Sequence, residues 1–421
     1  MPDGIARQIE AEGGRVTFAR FMELALTHPT EGYYTRAEPL LGPQGHFSTA
    51  PRLSPFFNRA VARLLAELVD SWSVARANGA GPASIGGELP GSVIELGGGE
   101  GDLAGAVLRT WEDTRPDLRS LVVYSIVEIG AGLRARQEGA LSEARRQGWE
   151  VRWAADLLEA TTGTRPCVIL GNEFVDALPV HLVDVRGQRP REAWVTIDRG
   201  VGDGAGGSGH VEALPTEIWE DVSQEAEAEL LALFGTAETE ALRSLSRDGV
   251  IEIRPTLRPL MDQITAVMPS GCLLTIDYGE WGVTSPAEDA CCGRDSTRGN
   301  AYGRTIRGYF RHQLALDPYI RVGLQDVTAD VDFRAMDLHG REAGFETVLF
   351  TTVAALLTAD GGGERLAYLL ERATSPSGEA LEADHEAQVL AGLLDPQGLG
   401  GAYKVMLQVR DWGANQQERQ P

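Results

Sequence analysis

Three observations predict a doubly wound, Rossmann-like α/β fold. Four short apolar runs, SVIEL (92–96), LVVYSIVEI (121–129), PCVILGNEF (166–174) and GCLLTIDYG (271–279), are bounded by glycine or charge. Strands buried on both faces of a parallel sheet read in this way. Helical patterns lie between them, DLAGAVLRTWEDT (102–114) and AGLRARQEGALSEARRQ (131–147), giving the βαβ alternation of a parallel sheet. The first run also ends in a glycine-rich turn, Glu95-x-Gly97-x-Gly99-x-Gly101, at the strand end where open α/β sheets bind their ligands.

Around this core the chain divides by composition. Residues 1–91 hold two helical patterns, GIARQIEAEG and SPFFNRAVARLLAELVDSW, on either side of HPTEGYYTR and GPQGHFSTAPRLS. These two stretches are too irregular for a core element and too aromatic for a linker, so residues 1–91 are expected to form an N-terminal helical cap whose loops cover substrate and cofactor. Residues 92–200 carry the first part of the core, with REAWVTID as a further strand. Residues 201–265, with PTEIWEDVSQEAEAELLALFG and AETEALRSLSR, read as a helical insertion. Residues 266–421 complete the core and include a lid segment at 286–330.

Composition narrows the function classes. The chain has 421 residues, 43% of them hydrophobic, and a formal charge of -23. So acidic a chain lacks the basic stripe that a nucleic acid or an anionic membrane surface requires. It contains no apolar run of about 20 residues to span a bilayer. Cys167, Cys272, Cys291 and Cys292 show neither CxxC pairs nor histidines at zinc spacing, so no metal is expected. Reduced thiols, and an N-terminus without a signal-like apolar stretch, lead to the expectation of a cytoplasmic protein.

The glycine turn admits two ligand classes. Gly99, Gly101 and Ala104 satisfy a dinucleotide-type GxGxxA, but that register begins three residues beyond the strand. It would also set a pyrophosphate beside Glu100 and Asp102. S-adenosylmethionine (SAM) carries a positive sulfonium and no phosphate, so the acidic turn favours it. Glu128, at the end of the next strand, is placed to accept hydrogen bonds from ribose hydroxyls, a feature SAM shares with dinucleotides. Asp156, in VRWAADLLEA, is placed for the adenine amino group.

With FMELALTHPTEGYYTR, GHFSTAPRLSPFF, GNEFVDALPVH, LLTIDYGE, RGYFRHQ, QDVTADVDF and LGGAYKVMLQV also present, most of the chain resembles the MidA-like SAM-dependent methyltransferases. Mitochondrial members of that family methylate a protein arginine. The resemblance implies a class I methyltransferase sheet with SAM as cofactor. It implies that Gly97, Gly99 and Gly101 line SAM, Glu128 holds the ribose, and Asp156 and Leu157 flank the adenine. Thr49, Ala50 and Pro51 would cover the methionine end, while Asn172, Glu173 and Asp176 would face the reaction centre. Glu173 is the leading candidate for orienting or deprotonating the acceptor, with Asp176, His46, Asp277 and Tyr278 behind it. Asn172 and Asp176 have an alternative as helix-capping residues.

The chain departs from the family at several positions. The usual Gly-Pro-Gly-Arg-Gly-Thr loop reads GGGEGD here, GDF-x-TAPE reads GHFSTAPR, and a Gly-Glu pair is replaced by Asn58-Arg59. Acids hold guanidinium groups, so His46, Arg52 and Arg59 in their place direct the expectation toward a neutral or anionic acceptor. Arg298, Arg304, Arg307, Arg311 and His312 form a local basic excess, to neutralise such an acceptor or to pair with the protein's own acids. The first expectation is therefore methyl transfer to an O or N nucleophile of a small molecule or modified peptide in a biosynthetic pathway. Protein-arginine N-methylation and a weakly catalytic SAM-binding assembly factor are the alternatives. No nucleic-acid or membrane partner is expected, and a homodimer is compatible with this reading.

Overall fold

The computed structural model describes residues 1–35, 50–77, 90–199, 213–243, 246, 249–282, 305–311, 313–373 and 380–411. The chain folds into two compact units, each assembled from separated segments: 48–175, 260–280 and 336–421 form one, and 1–47, 176–259 and 281–335 the other.

The first unit is built on a mixed sheet. Seven of its eight strands are β1 (Gly91–Leu96), β2 (Val122–Val127), β3 (Val151–Ala154), β4 (Arg165–Asn172), β5 (Gly271–Glu280), β6 (Glu346–Thr352) and β7 (Tyr403–Arg410), in the order β6-β7-β5-β4-β1-β2-β3. β1 to β5 run parallel, while β7 lies antiparallel between β5 and β6. All six residues of β1 are buried, which explains its unbroken apolar reading. The chain passes from β1 outward to β2 and β3, then returns to place β4 on the other side of β1. The β1/β4 junction is therefore the topological switch point, where ligands bind in open α/β sheets.

Helices α1 (Pro55–Ala77), α2 (Asp102–Thr114) and α3 (Ala131–Ala140) belong to this unit. Trp111 on α2 donates its indole N–H to the Ala62 carbonyl of α1 at 2.8 Å. Its ring packs with Tyr124 and Trp149 in the core that includes Val93, Leu170, Ile276 and Leu407.

The second unit carries two antiparallel sheets. One is five-stranded, its longest hairpin pairing Arg191–Arg199 with Ala213–Asp221 in register from Arg191↔Asp221 to Arg199↔Ala213. The other is three-stranded: Arg307–Phe310, Gln313–Ala315 and Asp326–Thr328.

This architecture changes several readings made from the sequence. REAWVTID is a strand, but of an antiparallel sheet outside the parallel core. PTEIWED does not open a helix: Leu214, Thr216 and Ile218 alternate with Pro215, Glu217 and Trp219 in a strand, a period-two pattern. The helix begins only at Gln224, where the Ser223 hydroxyl caps the Ala226 N–H. The unit boundary also falls inside residues 1–91, because Arg15–Thr17 pairs with the Arg191–Arg199 strand whereas α1 packs on α2 and β4. Within 286–330, residues 286–304 and 312 lie outside the described residues, and the three-stranded sheet comes from the described part.

Candidate active site

The turn after β1 needs its glycines. Gly97, Gly99 and Gly101 have φ of 62°, 53° and 88°, left-handed values that L side chains rarely adopt. A Cβ on Gly97 would also stand 2.9 Å from Cδ2 of Phe174, and one on Gly98 2.8 Å from Cγ2 of Ile126. The turn then feeds α2, whose first residue, Asp102, brings a carboxylate to the positive end of the helix dipole.

Glu128 lies just past β2 and is buried. Its carboxylate accepts from the Gly130 N–H at 2.7 Å and from Nε2 of Gln137 at 3.0 Å. Burial pushes its pKa up, and these two hydrogen bonds oppose that shift. Gln137 also donates from Nε2 to the Gly99 carbonyl at 2.8 Å and accepts from Nε1 of Trp153 at 3.0 Å. It thereby joins the glycine turn to Glu128. Asp156 is exposed and caps the short helix Leu157–Ala160 through the Glu159 N–H at 2.8 Å, while Leu157 is buried.

Across the switch point, β4 ends at Asn172, and Glu173 takes φ of 49°. No helix follows among the described residues, so neither Asn172 nor Asp176 is a helix cap. The turn is pinned from β5. The Ile276 carbonyl accepts the Glu173 N–H at 2.9 Å, and Oδ2 of Asp277 accepts the Phe174 and Val175 N–H groups at 3.2 and 2.8 Å. Asp277 is thus a backbone clamp. The Glu173 carboxylate accepts from the Tyr403 hydroxyl at 3.0 Å and from the Ala50 N–H at 3.4 Å, and Tyr403 lies 2.7 Å from Oδ1 of Asn172.

The Ala50–Leu53 helix meets the glycine turn through charge. Nη1 of Arg52 lies 3.0 Å from Glu100 and 3.4 Å from Asp102, and Nε of Arg136 lies 3.2 Å from Glu100. Pro51 is buried, and its carbonyl accepts from Nδ2 of Asn58 at 2.6 Å. Arg59 lies over the Phe56 ring, in the field of Arg365, Glu386, Arg63 and Asp360. Both arginines therefore have partners within the chain. Arg52 and Glu100, both departures from the pattern that the resemblance implies, meet as an ion pair.

His46 and Thr49 lie outside the described residues, as do Cys291, Cys292, Arg298, Arg304 and His312. Asp176 belongs to the second unit. There it is buried and pushed up to about 6 by desolvation, which outweighs the opposing charges of Arg307 and Arg254. Arg307 pairs with Asp330 at 2.5 Å, so this member of the basic cluster serves the protein's own acids.

Comparison with known proteins gives this geometry its family. Residues 72–351, more than half of the chain, match the family described as "putative S-adenosyl-L-methionine-dependent methyltransferase". The chain belongs to that family. A Burkholderia thailandensis protein crystallised with S-adenosyl-homocysteine is similar to it, with a TM-score of 0.72, 26% identity, and coverage of 98% of this chain and 95% of that one. The human mitochondrial protein arginine methyltransferase NDUFAF7 is 26% identical over 86% of this chain and 74% of its own. Its Drosophila melanogaster homologue is also 26% identical, over 96% and 84%. The chain is a SAM-dependent methyltransferase of the class I α/β fold. The loop, with glycines where side chains would clash or strain, and the buried carboxylate of Glu128 fit that cofactor.

Sequence reasoning missed Tyr403, Gln137, Trp153 and Arg136. Tyr403 was visible only as part of AYKVMLQV, whose local pattern says strand and nothing of a partner 231 residues earlier.

Proposed function

We propose that the chain methylates a guanidinium nitrogen of an arginine side chain and that Glu173 orients this acceptor. One observation carries the reading: the Glu173 carboxylate is fixed at the carboxyl end of β4, beside the strand whose glycine turn fits SAM. The names of the NDUFAF7 relatives support the same chemistry. The two described substitutions that favoured a neutral or anionic acceptor, Arg52 and Arg59, are engaged elsewhere.

In this reading Gly97, Gly99 and Gly101 hold the amino-acid end of SAM, with Pro51 and Asn172 beside it. Glu128 accepts from the ribose, and Asp156 with Leu157 flanks the adenine. When bound, SAM supplies a methyl group on a sulfonium whose thioether is a good leaving group. The chain's own task is alignment and handling of a proton. Glu173 accepts two N–H bonds from a guanidinium in bidentate fashion, directing the remaining nitrogen at the methyl carbon. As the N–C bond forms, the carbon–sulfur bond breaks and the thioether leaves with its electron pair; that nitrogen then sheds one proton to water, with Glu173 as the nearby base.

Incubation with methyl-labelled SAM and an arginine-containing peptide, against the same peptide with lysine in place of arginine, tests the proposal. Label is expected in the arginine peptide only. Transfer to hydroxyl or carboxylate metabolites with none to arginine would return the reading to a small acceptor.

A further inference from the structure

We infer that Tyr403 is a positioning residue for methyl transfer, its hydroxyl holding the Glu173 carboxylate in the orientation that receives the acceptor. The inference rests on the role proposed for Glu173. Tyr403 is the first residue of β7 and lies opposite Tyr278 at the end of β5. The antiparallel return of the last strand therefore delivers it to the carboxyl edge of the parallel sheet, where Asn172 and Glu173 end β4. Its ring is fully buried and stacks with Tyr278, at 4.5 Å and 11°, and with Phe57, at 5.9 Å and 18°. A buried ring with two stacked neighbours fixes where its hydroxyl points.

That hydroxyl has one proton and two close oxygens, Oδ1 of Asn172 at 2.7 Å and Oε1 of Glu173 at 3.0 Å. A phenol cannot donate to both at once. The oxygen and nitrogen of an amide are nearly isosteric, and their assignment follows from the network around them. With the Asn172 amide turned, its N–H donates to the phenol oxygen and the phenol donates to the carboxylate. No two acceptors then face each other, and each bond polarises the next. Burial and the Glu173 charge push the Tyr403 phenol well up, so it stays a donor.

The Tyr403 bond acts on the part of Glu173 that receives the acceptor, its carboxylate. The Glu173 backbone is fixed by Ile276 and by the Asp277 clamp on the following residues, but a glutamate side chain keeps its own rotamers. The Ala50 N–H, at 3.4 Å, is the longer contact. A purely structural Tyr403 would need its ring and not its oxygen, and this difference makes the two roles separable.

Tyr403→Phe in the full-length protein keeps the stack and removes the hydroxyl. In crystals of this variant the Glu173 carboxylate is expected to leave its place beside the Ala50 N–H, a readout independent of any acceptor. Calorimetry is expected to give a SAM affinity within about twofold of wild type. Turnover on an arginine peptide is expected to fall roughly 10–100-fold in kcat, the scale of one lost hydrogen bond to a charged group, with KM for SAM unchanged. Combined with Glu173→Gln it should cost little more than Glu173→Gln alone, because coupled residues are not additive.

An unmoved carboxylate, or a SAM affinity falling in step with turnover, would overturn the inference. So would wild-type turnover in Tyr403→Phe beside an inactive Glu173→Gln, while leaving the Glu173 proposal intact. Wild-type turnover in Glu173→Gln would instead remove the Glu173 proposal itself.

Discussion

Glu128 shows how much one side chain is asked to do. It is buried, binds the Gly130 N–H and the Gln137 amide, and through Gln137 is tied to the Gly99 carbonyl. Its remaining lone pairs are the ones available to a ribose. Glu128→Ala should therefore weaken SAM binding by about 1.5–3 kcal/mol, the range for hydrogen bonds to a charged group, which is roughly 10- to 150-fold in Kd. Titration calorimetry measures this directly, and an unchanged Kd would remove Glu128 from the cofactor site. Arg52 makes a reciprocal test. Arg52→Glu sets a third acid against Glu100 and Asp102 and should raise KM for SAM several-fold. The double change Arg52→Glu, Glu100→Arg should recover part of that loss. Recovery stays partial because Arg136, 3.2 Å from Glu100, would then face a cation. A double variant no better than Arg52→Glu would show that the exchange of charges at 52 and 100 is not compensatory.

At the scale of elements, β1 carries a buried acid whose titration bears on stability. Glu95 is buried within the strand, where desolvation pushes its pKa to about 7, the Tyr124 hydroxyl opposes this, and Glu128 and Asp102 add to it. Between the ordinary carboxylate value of 4.5 and about 7, the native state keeps a proton that the unfolded chain has released. Stability therefore falls as pH rises through that window. Urea unfolding of wild type and Glu95→Gln at pH 5 and 8 is expected to show wild type losing more stability on the way up, and equal losses would contradict the assignment. The same elements show what the sequence made legible. β1, β2, β4 and β5 are buried on both faces and read as continuous apolar runs. The Ala213–Asp221 strand did not, because its Glu217 and Glu220 run directly into the helical AEAELLALF and Pro215 interrupts its start.

At the scale of the molecule, the readable part of the site is the part that is local in sequence. The glycines, Glu128 and Glu173 sit at strand ends, and their proposed roles are read from the strand-turn-helix grammar of an open sheet. Tyr403, the Asp277 clamp and the Arg52–Glu100 pair depend on chain segments brought together by folding, and no periodicity announces them. A substitution read singly says nothing of its partner for the same reason: only folding places Arg52 on Glu100. What the fold and family state plainly is SAM-dependent methyl transfer, and the acceptor is the central proposal. The most direct test is tandem mass spectrometry of an arginine-containing peptide after incubation with SAM and either the wild-type protein or Glu173→Gln. The account predicts one added methyl located on a guanidinium nitrogen with wild type, and at least a 100-fold lower yield with the variant, on the order expected for loss of a positioned acid–base group. A methyl found on another atom, or an equal yield from Glu173→Gln, would contradict it.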